Sequence, residues 1–148
     1  MAANDSLTPE QVARQVSYWL DLADYDMETA RAMLTSRRLL YVAFMCHQVV
    51  EKSLKAAYTD RCQAVAPKIH RLVALAQKSG ILGEMALAQQ GFLKDLDPMN
   101  VESRYPAENE KLLAALTVPE CELMVIQTSE ILEWIKRKLS GAPGSMPL

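Results

Sequence analysis

The chain has 148 residues, half of them hydrophobic and 23% charged, with a formal net charge of −2. That length fits one domain able to enclose a core without metals or crosslinks, and the charge balance excludes a protein that holds long nucleic acid mainly through an overall positive field. Eight Met, abundant Ala and only five Gly favour helices over short strands, so the expected class is all-α.

Residues 1–7 carry no periodic signal and are expected to be flexible, ahead of a single domain over 8–139. Their opening, MAANDSLTPEQ, has neither a basic start nor an apolar segment, and no apolar run approaches the roughly 20 residues of a membrane span. A soluble, cytoplasmic protein is expected. Thr8 reads as an N-cap, with Pro9 at the first helical position and Gln11 completing a capping box. Val12, Val16, Trp19, Ala23, Met27, Ala30 and Leu34 then recur at threes and fours, predicting a helix to about Thr35. Ser36, Arg37 and Arg38 make a short break suited to an antiparallel turn.

The stretch from Tyr41 to Tyr58 is the organising element. Wound at 100° per residue, it places Val42, Ala43, Cys46, Val49, Val50, Leu54 and Ala57 over one broad side and gathers Gln48, Glu51, Lys52 and Lys55 in a narrow polar seam. A helix this apolar is buried on more than one side, so its seam must meet a cleft, a partner side chain or a ligand. After Tyr58 the periodicity is lost and a loop is expected as far as Pro67. Ile69, Leu72, Val73, Leu75 and Ala76 mark a third helix, with His70 at its start and Ser79–Gly80 as its stop. Leu82, Met85, Phe92, Leu93 and Leu96 form a weaker helical pattern, bent or broken by Gly83 and Gly91. A polar loop containing Ser103, Arg104 and Tyr105 follows, then a short helix over Glu108–Leu116. Thr117 with Glu120 caps a last long helix whose expected apolar stripe is Leu123, Ile126, Ile131, Trp134, Ile135 and Leu139. Lys136, Arg137 and Lys138 suit its carboxyl end, and residues 140–148 are expected to be a flexible tail.

Two readings of the seam are open from its residues. Glu51 and Lys55, four apart, can form a solvated ion pair worth tenths of a kcal/mol. Alternatively Lys52 and Lys55, held by a buried helix, present ammonium groups to a phosphate while Gln48 and Glu51 orient them. His70 and Arg104 each divide between a structural contact and a ligand contact, and His47 is expected to pack on the central helix. The three cysteines, Cys46, Cys62 and Cys121, lack CxxC spacing and are expected to be free thiols in a reducing compartment. Two distant histidines with no neighbouring carboxylate cluster make no recognisable metal set, and no glycine-rich phosphate loop is present. No metal or cofactor is expected.

The ordered set of Gln48, Glu51, Lys52, Lys55 and Ala56, then His70 with Leu72, then Arg104, Tyr105 and Pro106, closely resembles the HEPN domain family over about Tyr18 to Leu139. The resemblance implies an up-and-down bundle of four to five helices, commonly a homodimer. It also implies a link to nucleotides or RNA, often beside a separately encoded nucleotidyltransferase in a toxin–antitoxin-like pair. Ligand-binding residues are then Gln48, Glu51, Lys52, Lys55, His70, Arg104 and Tyr105. Many family members are metal-independent RNA endonucleases carrying an Arg four to six residues before a His. Here the nearest upstream arginines, Arg38 and Arg61, each stand nine positions before His47 and His70. Any catalysis would therefore fall to His70 and Arg104, and a further alternative is a non-catalytic helical interaction protein.

Overall fold

The computed structural model describes residues 6–139, and both residues 1–5 and the expected tail at 140–148 lie outside this range. The all-α class is borne out. Among the described residues there are six α-helices: α1 (Pro9–Thr35), α2 (Leu39–Cys62), α3 (Leu72–Ser79), α4 (Leu87–Leu96), α5 (Pro106–Ala115) and α6 (Val118–Lys138). Single 3₁₀ turns at Leu82–Glu84, Asp97–Met99 and Val101–Ser103 interrupt the segments between them. No single helix among the described residues is long and apolar enough to cross a membrane.

The first helix starts where its cap dictates. The Thr8 hydroxyl accepts from the Gln11 N–H at 3.2 Å, and the Gln11 side chain accepts from the Thr8 N–H at 2.9 Å, satisfying two donors that the helix itself leaves unpaired. Just before it, Leu7 donates its N–H to the Gln63 carbonyl at 2.9 Å, and Ser6 bridges to Ala64, so the last two residues of the segment expected to be loose are tied to the end of α2. The α1–α2 turn closes with Arg37 in the left-handed region at φ 62°. Arg38 N–H donates to Met33 O at 2.8 Å and Arg37 N–H to Leu34 O at 3.1 Å. That crossed pair of bonds is a Schellman ending with Arg where glycine is usual.

Of the 24 residues of α2, 14 are buried, because α1, α3 and α6 all pack on it. The helix runs on to Cys62 where a loop was expected from Thr59. Thr59 and Asp60 are buried by neighbouring elements, and Gln63, at φ 56°, ends it in the left-handed region. The expected stripe on α6 also differs. Leu123 and Ile126 are 54% and 56% exposed, whereas Cys121, Met124, Val125, Thr128, Ile131, Leu132 and Ile135 form the inner ridge. Apolar residues sit on more than one side of α6, so periodicity alone did not choose between the ridges.

Candidate functional site

The polar seam of α2 splits three ways. Lys52 reaches α1 and pairs with Asp26, a residue only 7% exposed. Lys55 is also buried. Its Nζ lies 3.1 Å from Glu51 Oε2 and 5.3 Å from the centroid of the Trp19 ring, so a carboxylate and an aromatic face replace lost water. Gln48, with Glu51 beside it, turns to an opening, a cleft of about 270 Å³ lined by Phe44, Gln48, Glu51, His70, Asn100, Glu102 and Ser103.

Glu51 joins the buried and open parts. It is 4% exposed. Its Oε2 lies 3.0 Å from His70 Nδ1 as well as 3.1 Å from Lys55, and its Oε1 is 3.7 Å from His47 Nδ1. Because a carboxylate only accepts, the His70 contact assigns a proton to Nδ1, so that in the neutral ring Nε2 is the acceptor nitrogen. The His70 side chain is 62% exposed and lies two residues before α3 rather than inside it.

Asp97 anchors the segment that follows His70. Its Oδ1 accepts the Leu72 N–H at 2.7 Å and its Oδ2 the Val73 N–H at 3.5 Å, so a carboxylate 25 residues away in sequence satisfies the first donors of α3. The same Oδ1 is 4.0 Å from His47 Nε2. His47 is fully buried, and among the described residues neither ring nitrogen makes a hydrogen bond of ordinary geometry. Burial pushes its imidazolium below the ordinary histidine range, with the carboxylates of Glu51 and Asp97 pulling the other way. Cys46, its neighbour in sequence, has its thiol pushed up to about 12 by burial.

The loop before α5 is built differently from the seam. The Arg104 guanidinium donates to Pro98 O at 2.7 Å and to Glu108 O at 3.2 Å, fastening the loop to itself. Tyr105 is 80% exposed, and the Glu108 carboxylate accepts its N–H at 2.9 Å to start α5. Of the residues singled out from sequence, Gln48, Glu51 and His70 therefore meet in one cleft. Lys52 and Lys55 face α1 and the interior, while Arg104 and Tyr105 stand outside the cleft lining. Sequence reading missed Phe44, Asn100 and Glu102, whereas Ser103, which stands out in sequence beside the Arg104–Tyr105–Pro106 motif, does line the cleft. Glu102, one residue earlier, carried the same signal.

No curated protein matches this chain. Among solved structures, the crystal structure of TT1696 from Thermus thermophilus matches with a TM-score of 0.72 at 19% identity, covering 84% of this chain and 98% of that one. That likeness shows a shared fold. The family model for the HEPN domain matches residues 16–138, a span that contains α2, the cleft and the loop before α5. The chain belongs to the HEPN domain family.

Proposed function

We propose that this HEPN protein is a nucleotide- or RNA-associated module, acting as a homodimer beside a separately encoded nucleotidyltransferase in a toxin–antitoxin-like pair, and that it engages nucleotide at the cleft. One observation carries the cleft assignment: side chains from α2, from the segment before α3 and from the turn before α5 converge on one polar opening. Gln48, Asn100 and Ser103 supply donors and acceptors suited to base or ribose edges, and the Phe44 ring gives the opening an apolar wall. Lys52 and Lys55 act indirectly here. Lys55 neutralises Glu51, and Glu51 orients His70.

The test is a thermal-shift titration with ATP, GTP, AMP and a short single-stranded RNA, repeated on Gln48→Ala and His70→Ala. Ligand at tenfold excess over Kd stabilises by about 1.4 kcal/mol, a rise of roughly 4 °C for a chain of this size. The rise is expected to shrink in both variants. No rise with any ligand sinks the cleft reading and moves nucleotide handling to the partner protein.

The Glu51–His70 contact favours a second reading, a metal-independent RNA endonuclease. In it His70 Nε2 takes the proton of a ribose 2′-hydroxyl as that oxygen attacks the adjacent phosphorus, and water protonates the departing 5′-oxygen. Cleavage lost in His70→Ala with an unchanged melting temperature supports it; cleavage undiminished in that variant removes it.

A further inference from the structure

The cations pointed to by the sequence are all committed within the fold, Lys52 to Asp26, Lys55 to Glu51 and Trp19, and Arg104 to two backbone carbonyls. The cleft itself contributes two carboxylates, Glu51 and Glu102, and no lysine or arginine. A nucleotide seated by its base would therefore need its phosphates to leave the cleft and find positive charge nearby.

A second opening meets that need. A groove of about 450 Å³ is lined by Arg71, Val73, Lys94, Asp97 and Pro98. His70 lines the cleft and Arg71 the groove, as neighbours in a segment where Arg71 has extended backbone (φ −79°, ψ 120°) and successive side chains point to opposite sides. The other wall is shared as well. Asn100 lines the cleft and Pro98 the groove, and two residues of chain span at most about 7 Å.

Arg71 and Lys94 are both exposed, and neither side chain has a hydrogen bond or ion pair among the described residues. The one carboxylate in the groove, Asp97, already accepts from the Leu72 and Val73 N–H groups at the start of α3, which offsets much of its repulsion toward an anion. Two uncommitted cations, one of them a planar guanidinium, thus face an open groove whose only acid is occupied.

We propose that this groove is a phosphate-binding subsite in which Arg71 and Lys94 hold the phosphate chain of a nucleotide whose base lies in the neighbouring cleft. The assignment rests on the nucleotide reading of the cleft for the base, but its phosphate part can be tested alone. Calorimetric titrations of the full chain and of Arg71→Ala/Lys94→Ala would use inorganic tripolyphosphate, the nucleosides adenosine and guanosine, and ATP and GTP. Both substitutions are at exposed positions, and equal melting temperatures without ligand would verify that the variant folds.

The expected result has three parts. Tripolyphosphate binds the unsubstituted chain and is weakened about tenfold or more in the double variant, as for loss of a charged hydrogen bond. Nucleosides bind both proteins equally. ATP or GTP binds more tightly than its nucleoside in the unsubstituted chain, and that advantage disappears in the variant. Tripolyphosphate that fails to bind, or binds both proteins equally, overturns the groove. Nucleosides that fail to bind, while tripolyphosphate behaves as expected, overturn the cleft as the seat of the base and leave the phosphate subsite standing.

Discussion

The two sides of α2 treat the same kinds of residue in opposite ways. On the side facing α1, Lys52 and Asp26 pair, as do Lys55 and the Trp19 ring, with Asp26 and Lys55 buried and Lys52 and Trp19 partly so. On the side facing the segments before α3 and α5, Gln48 and His70 border an opening, and most of their polar capacity is unspent. Charge on a helix does not by itself mark a binding face. The lysines, the most suggestive residues of the seam, are the ones the fold uses internally, and the less conspicuous glutamine and histidine are left facing the opening.

The sharpest way to break this contrast is at Glu51, where the two sides meet. Glu51→Ala leaves Lys55 buried without its carboxylate, a loss of about 3–5 kcal/mol by denaturant unfolding, whereas Gln48→Ala on the open side costs under about 1 kcal/mol. The combined Glu51→Gln/Lys55→Met variant should recover most of the stability, because an apolar side chain of similar volume then replaces a stranded charge. Equal costs for Glu51→Ala and Gln48→Ala would show that the seam is solvated throughout.

A smaller effect is expected at Asp97, which caps the start of α3 next to the open side. Asp97→Ala removes the acceptor for the first donors of α3 and should cost about 1–2 kcal/mol. Asp97→Asn, which keeps an acceptor oxygen, should cost less. Hydrogen exchange at Leu72 and Val73 would localise the loss, and exchange there unchanged in the Ala variant would refute the cap.

The smallest effect concerns pH. His47 is held below its ordinary value of 6.5 by burial, so below 6.5 the unfolded chain takes up a proton that the folded chain refuses. Its contribution to stability is therefore complete above 6.5 and is lost as pH falls from there toward the folded value. Unfolding free energies measured across this range should fall less steeply in His47→Gln than in the unsubstituted protein. Parallel curves would mean that His47 titrates alike in both states.

Much of the architecture was legible because it is encoded locally. Thr8–Pro9–Gln11 and Thr117–Glu120 announce helix starts through caps that act over three residues, and both helices begin there. Gly80, at φ 80°, ends α3 as its missing side chain suggested. The site was legible only in part. Gln48, Glu51 and His70 stood out through the family pattern, but nothing local linked Asp97 to the start of α3 or Asp26 to Lys52, since those partners are 25 and 26 residues apart.

The sequence by itself determined the helical class, the principal helix starts, the turn between α1 and α2 and the seam on the central helix, because spacing, capping and backbone preference operate within a few residues. Tertiary structure alone decided which half of the seam is buried, how far α2 extends, which ridge of α6 faces inward and where the openings lie. Those outcomes depend on desolvation. A lysine on a helix is a free ammonium or half of a buried pair according to what packs over it, and only the assembled neighbours α1, α3 and α6 supply that answer.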